Sequence, residues 1–414
     1  MASTLLFRCA VLHLSGCAGR AQIIEIIPCV ATRGTNGADV WLPLIEKYLK
    51  DAVRKGIDCA RKMLESTERM EWMLANSEQA VRVASNIFYT DMVEAALLDE
   101  NRAAMLQQLV PMKMGEIAQV VNNLGYHMDT TVDRHKHMSL CILDIAQRDS
   151  LIALLAQDPR NVHDFAWQCQ LRSYWEVPRG AVDGVVRVEV MRRSFVYGNE
   201  CVAAKSPLVW TDSLENCYKI MGTALSMQLG AIISGPAYSG RSAYVKELAS
   251  FLGTFCVSVD CSLHPTLGVM DRLSRGLASS GGWVCFQEFS RVNDKAMATL
   301  SLALLSIQQA IRAKADTCMI SGEDIKVFGT RGDTWGPPPC CFLTLLDQRH
   351  GEVVIPDTVR VLFRPIHLGT PDIKVIIEVL LTATGFNQPT VIARRLLFVY
   401  KLLREQVRTV CHAG

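Results

Sequence analysis

Leu229 to Ser242 read LGAIISGPAYSGRS: an apolar run breaks into glycine, proline and small residues, and a helical pattern follows at Val245, Leu248, Ala249 and Leu252. A buried strand, a loop bounded by two glycines and a helix are the local build of a phosphate-binding loop, G-x-x-x-x-G-K-[ST]. In that loop backbone N–H groups wrap phosphates, a lysine neutralises them and a hydroxyl holds Mg²⁺. Gly235, Gly240 and Ser242 keep the frame, but Arg241 stands in the lysine's place. Arginine keeps the charge, yet its planar fork cannot sit among phosphates as a compact point charge, so the exchange is not conservative. Tyr238 fills a position that related loops often give to glycine, which matters if the residue needs positive φ. A crowded loop is expected.

The 414 residues, half of them apolar, allow two or three domains. Lys plus Arg (43) nearly balances Asp plus Glu (41), so no broad field recruits nucleic acid or anionic lipid, and neither partner is expected. The 15 cysteines show no C-x-x-C pair and no spacing matched by histidines, as free thiols in a reducing compartment would. His127, His135 and His137 read as a solvated helix face rather than a metal site. The first twenty residues loosely imitate a leader, but Arg8 and His13 interrupt the apolar run. The most apolar later stretch, Val375 to Leu381, is broken by Glu378 and is too short to span a membrane.

Apolar residues fall at helical spacing from about Val40 to Leu64, and further helices are expected over Ser77–Leu98, Asn101–Leu124 with a break at Pro111, and Thr131–Leu155. A last short helix starts near Asn161, capped by Asn161 or Asp164, and carries FAWQCQLRSYW, with Phe165, Trp167 and Trp175 as core anchors. Residues 1 to about 180 are thus expected to be essentially all helical. After Pro178 and Gly180 the period becomes two, with Val186, Val188 and Val190 on one face, which marks a strand and a domain boundary. From Thr211 the order is helix, strand, phosphate loop, helix, strand (Phe255–Val259), helix (Val269–Leu277), strand (Trp283–Phe286), helix (Asp294–Ile311), a doubly wound α/β order with a parallel sheet. Ile325–Phe328 and the tract holding Gly332, Gly336 and Pro337 to Pro339 make a hairpin-like insert before a strand at Cys341–Leu345. Pro371–Ala383 and Pro389–Val407 read as two amphipathic helices.

In loop NTPases a later strand ends in an acid that holds Mg²⁺, followed by a glutamate that polarises the attacking water. Here WVCFQEF supplies neutral Gln287 and then Glu288, which keeps the possible base, while CFLTLLDQ puts Leu346 where a polar residue orients water. With VATRGTNGADVWL (30–42), FAWQCQLRSYWE (165–176), LENCYKIMGTAL (214–225), DCSLHPTLGVMDRLSRGLASSGGWVCFQEFSRV (260–292) and IPDTVRVLFRPI (355–366), the chain resembles the dynein heavy chain family from about residue 22 onward.

The resemblance implies an α/β fold in three parts: a linker-like helical region (22–180), the large α/β subdomain of the first AAA+ module (181–370) and a small helical subdomain cut short (371–414). It implies a nucleotide site for ATP or ADP with Mg²⁺, in which Gly235, Gly240, Arg241 and Ser242 match the phosphate loop. Gln287 matches the Mg²⁺-binding acid, Glu288 the base and Leu346 the polar sensor. Arg364 matches the LFRP arginine that in AAA+ rings faces a neighbouring module's nucleotide. The implied partners are the remaining AAA+ modules and dynein complex subunits, with microtubules reached only indirectly, in the cytoplasm, the cytoskeleton or an axoneme. The rest of the ring, the stalk, the microtubule-binding tip and a sensor arginine just past Gly414 are expected to lie outside the chain. Two classes stay open: part of an ATP-driven motor with a weak or inactive site, or a non-hydrolysing structural or assembly component of a ciliary or flagellar dynein system.

Overall fold

The computed structural model describes residues 6–13, 22–30, 38–123, 130–178, 183–191, 193–202, 208–263, 265–328, 337–346 and 355–412, with side chains described between 45 and 406. Readings that rest on residues 1–5 and 14–20, on the side chains of Arg8 and His13, or on His127, Gly180, Gly332 and Gly336 lie outside the described residues.

The chain opens with an antiparallel hairpin, β1 (Leu6–His13) and β2 (Gln22–Val30), paired from Leu6↔Val30 to His13↔Gln22. Helices follow: α1 (Ala38–Leu64), α2 (Arg69–Ala75), α3 (Glu78–Leu98), α4 (Arg102–Asn122), α5 (Thr131–Ala156) and the single turn α6 (Phe165–Gln168). Caps set two starts, for Ser77 accepts from the Ala80 N–H and Thr130 from the Asp133 N–H, each satisfying a first-turn donor that the helix leaves orphaned.

Four expectations fail here. The region is not all helical, because the β1–β2 hairpin precedes the helices and FAWQCQLRSYW leaves the helix after Gln168 to become β3 (Arg172–Glu176). An apolar run of that length does not distinguish strand from helix by period, and pairing with β4 (Val185–Val190), Trp175 opposite Val186, decides it. Trp167 is a core anchor, fully buried with its indole N–H donating to Glu94 at 3.1 Å, whereas Trp175 is partly buried and Phe165 is 66% exposed. Nor does Pro111 break α4. It faces solvent, as does Gln107, so water can take the carbonyl that the missing N–H leaves free. The histidine face is not wholly solvated either: His137 is buried against α4, with Nε2 2.7 Å from the Val120 carbonyl, and His135 pairs with Glu78 at 3.1 Å.

β4 continues into β5 (Arg193–Val196), so the β3–β4–β5 sheet joins residues on either side of position 180. Then come α7 (Asp212–Ser226), β6 (Gly230–Gly235), α8 (Arg241–Phe251), β7 (Cys256–Asp260), α9 (Leu267–Ser280), β8 (Trp283–Gln287) and α10 (Asp294–Ala313). A small hairpin, β9 (Thr317–Ile320) and β10 (Glu323–Lys326), precedes β11 (Cys340–Leu346), α11 (Asp357–Arg360), β12 (Phe363–His367), α12 (Ile373–Ala383) and α13 (Pro389–His412).

Five strands form a parallel sheet in the order β12–β6–β11–β8–β7. Alternation sorts their side chains: Ala231 and Ile233 of β6, with Trp283 and Cys285 of β8, join the core beneath α7 and α8, while Ile232, Val284 and Phe286 join the core under α9 and α10. A sheet covered on both faces explains the unbroken apolar run that precedes the loop. The first of these cores continues into the helical region through Trp72, Ile87 and Ile145, so the α/β module and the helices share buried contacts.

Candidate nucleotide site

Parallel register fixes which residues meet at one edge of the sheet. Leu346 lies opposite Gly235 and Asp260 opposite Gln287, so the ends of β6, β11, β8 and β7 face the same side, and the 236–240 loop leaves β6 there. This is where ligands bind in open α/β sheets. Gly235 is buried, and a Cβ on it would come within 2.7 Å of the Leu368 carbonyl oxygen. Gly240 sits at φ +85° immediately before α8, a left-handed position that glycine takes without strain. Tyr238 also has positive φ, 63°, but its side chain is fully exposed, so the tyrosine stands out of the loop and does not crowd it.

The loop backbone therefore has the cradle that a phosphate needs. The first-turn N–H groups of α8 lack intrahelical acceptors and lie at the positive end of the helix dipole. Ser239, within the loop, is 2% exposed, and its Oγ has no hydrogen-bond partner. An orphaned buried hydroxyl beside such a helix start fits an anion.

The side chains tell a different story. Partly buried Arg241 donates from Nη1 to the Leu345 carbonyl at the end of β11, so one arm of its fork is turned to the sheet edge. Burial lowers its pKa from the ordinary guanidinium value, an effect that the charge of nearby Glu288 partly offsets. Gln287 donates from Nε2 to Ser258 Oγ on β7 at 2.5 Å, which turns its amide along the sheet. Glu288 is left-handed at φ 50°, its N–H donates to Thr344 Oγ1 at 3.3 Å, and its carboxylate pairs with Arg291 Nε at 2.9 Å. Leu346 offers only an aliphatic side chain at the same edge.

These donors do not make a magnesium site. Mg²⁺ favours hard, charged oxygen ligands in near-octahedral array, and here position 287 supplies a neutral amide while the Glu288 carboxylate is paired with Arg291. Among the described residues no group of three or more His, Cys, Asp or Glu could hold a metal ion.

Arg364 is not part of this constellation. It lies on β12 opposite Ala231, four residues or about 13 Å back from Gly235 at roughly 3.3 Å per residue, exposed and with Nη1 4.0 Å from Met227 Sδ. Ser258, Thr344 and Arg291 were missed by sequence reasoning although they hold Gln287 and Glu288 in place. Thr344 alone gave a usable signal, a single hydroxyl within the apolar run CCFLTLL.

The family model for the hydrolytic ATP binding site of the dynein motor region matches residues 197–413, more than half of the chain. The chain belongs to the dynein heavy chain family. It is 28% identical over 372 residues to human dynein axonemal heavy chain 3, a match covering 90% of this chain and 9% of that protein. It is also 27% identical over 379 residues to mouse dynein axonemal heavy chain 1, covering 91% of this chain and 8% of that protein. Against the dynein beta chain of the flagellar outer arm of Chlamydomonas reinhardtii it is 25% identical over 386 residues, 93% of this chain and 8% of that one. The chain thus spans less than a tenth of the length of these relatives. Within this dynein module the β12–β6–β11–β8–β7 sheet is the α/β core of an AAA+ unit. Among the described residues no helix is long and apolar enough to cross a membrane.

Proposed function

We propose that this dynein module holds ATP or ADP weakly through its loop backbone, with little help from Mg²⁺, and does not turn it over at a useful rate. One observation carries the reading: at the substituted positions Arg241 is bonded to the Leu345 carbonyl and Gln287 to Ser258 along the sheet edge, and Leu346 offers no polar group. Each charge-assisted contact withheld from a ligand is worth about 1.5–3 kcal/mol, so two of them weaken binding by roughly a hundred- to ten-thousandfold. Loss of a preorganised polar group beside the reacting water costs on the order of 10²–10³ in rate.

In this reading residues 22–180 are the linker-like region, 181–370 the large subdomain and 371–414 the small one. Gly235, Gly240, Arg241 and Ser242 form the phosphate loop, and Gln287, Glu288 and Leu346 are the altered metal, base and sensor positions. Arg364 serves a neighbouring module's site. The protein contributes to microtubule-based movement alongside other AAA+ modules and dynein subunits, in the cytoskeleton or a ciliary or flagellar axoneme, where the names of its relatives place them. The same internal bonding favours a structural or assembly role over force generation.

The test is a fluorescent-nucleotide titration, with turnover measured in parallel, on the unmodified chain and on the triple variant Arg241→Lys, Gln287→Asp, Leu346→Asn. The variant restores a point charge, a metal partner and a water-orienting group, and is expected to bind Mg²⁺-ATP at least about tenfold more tightly. Its turnover is expected to stay slow, because an arginine acting in trans would have to come from a neighbouring module. Tight, Mg²⁺-dependent binding by the unmodified chain would overturn the proposal.

A further inference from the structure

The helix that starts at the phosphate loop ends in a latch to the helical region. Glu247, nearly buried on α8, pairs through Oε1 with Nη2 of Arg82 on α3. Past the helix end, the Leu252 and Gly253 carbonyls accept from the N–H groups of Gly198 and Glu200, each at 2.9 Å. That crossing segment is itself held by Gln79 of α3, whose Nε2 donates to Tyr197 Oη and to the Glu200 carbonyl at 2.8 Å, and whose Oε1 accepts from the Val202 N–H at 3.3 Å.

The crossing has no slack. Gly253 adopts φ +63°, and a Cβ on it would lie 2.5 Å from the Tyr197 ring; a Cβ on Gly198 would lie 2.5 Å from the Gly253 carbonyl oxygen. Only glycine allows both approaches. Beside the ion pair is a cavity of about 40 Å³ bordered by Gln79, Arg82, Tyr197 and Ser250, room for water at roughly 10–15 Å³ each. Directional polar bonds along this seam therefore fix the far end of α8. A regular helix transmits that constraint, and Glu247 is only about 9 Å along the axis from Arg241 at roughly 1.5 Å per residue.

We propose that Arg82, assisted by Gln79, is a positioning residue for the phosphate loop: it sets the position and rotation of α8, and with them the aim of the first-turn N–H groups. By thermodynamic reciprocity, a phosphate bound at the α8 N-terminus tightens the Arg82–Glu247 pair. This rests on the reading of GPAYSGRS as a phosphate site.

Two readouts test it on the full chain: ADP affinity by calorimetry without Mg²⁺, and amide hydrogen exchange in α3 and α8 without nucleotide. Arg82→Met removes the charge and keeps the stem; Arg82→Glu with Glu247→Arg reverses the pair; Gln79→Ala is the milder cut should Arg82→Met fail to fold. Arg82→Met is expected to weaken ADP binding by at least about fivefold, the lower end of ordinary coupling, and to speed exchange at 241–246. The reversed pair restores both, and Gln79→Ala gives the same pattern to a smaller degree. Unchanged affinity, or faster exchange confined to α3, would overturn the proposal. Should the unmodified chain bind no ADP, the nucleotide reading itself fails, and exchange alone decides the latch: acceleration at 241–246 that the reversed pair repairs supports it, and none contradicts it.

Discussion

Arginine and carboxylate meet in two regions of this molecule with opposite consequences. In the helical region Asp144 of α5 is fully buried and bound by Arg69 at 2.5 and 2.6 Å, with Lys113 at 3.9 Å and Glu116 bridging the two cations at 3.4 and 2.8 Å. At the candidate site Glu288 meets Arg291 near the surface, and Arg241 faces them from the loop. Depth decides the difference. Buried charges are committed to one arrangement because losing a partner strands the rest away from water, whereas a pair near the surface is free to reorganise at small cost.

The sharpest way to break this contrast is Asp144→Ala, which leaves the two cations Arg69 and Lys113 with Glu116 as their one shared carboxylate in this cluster. It is expected to lower stability by about 3–5 kcal/mol in chemical denaturation, and a loss under about 1 kcal/mol would put the two regions on an equal footing. Next is Gly240→Ala, whose new Cβ meets the Tyr244 ring at 3.0 Å at a left-handed φ. A cost of about 1–3 kcal/mol is expected, together with lost nucleotide binding.

His137 gives a smaller, pH-dependent effect. Burial lowers its pKa, an effect partly opposed by the Val120 carbonyl. The unfolded chain therefore takes up the proton as pH falls through about 6.5 while the folded chain still resists it, so this histidine's share of stability is intact above that pH and lost below it. The fall in melting temperature from about pH 7.5 to 5.5 should shrink in His137→Gln, and an unchanged fall would show that the imidazole does not contribute. Smallest of all, Arg291→Ala should change stability by only about 0–1 kcal/mol, measured by the same denaturation, while freeing the Glu288 carboxylate.

Much of the module was legible because its signals are local. The apolar run ending at Gly235, the glycine at 240 and the helical pattern from Val245 each act within a few residues, and the doubly wound order follows from strands and helices alternating. Strand β3 was not legible, because its partner β4 lies beyond it in sequence and FAWQCQLRSYW carries no period of its own. At the site the substitutions at 241, 287 and 346 could be read as losses, but not what replaced them. That Gln287 turns to Ser258 and Arg241 to a β11 carbonyl depends on strand neighbours 29 and 104 residues away. The solvent-facing placement of Pro111 and the buried one of His137 likewise follow from how α4 and α5 pack.

The central claim is that the substituted sheet edge, with Arg241 and Gln287 bonded along it and Leu346 aliphatic, gives Mg²⁺ little hold, and the Mg²⁺ dependence of ADP binding by the unmodified chain tests it most directly. Calorimetric titrations with and without Mg²⁺ should give weak binding whose strength differs by less than about tenfold, under roughly 1.4 kcal/mol, between the two. A tightening of tenfold or more on adding Mg²⁺ would contradict the claim, since it would show that this edge holds the metal despite the neutral amide at 287 and the aliphatic side chain at 346.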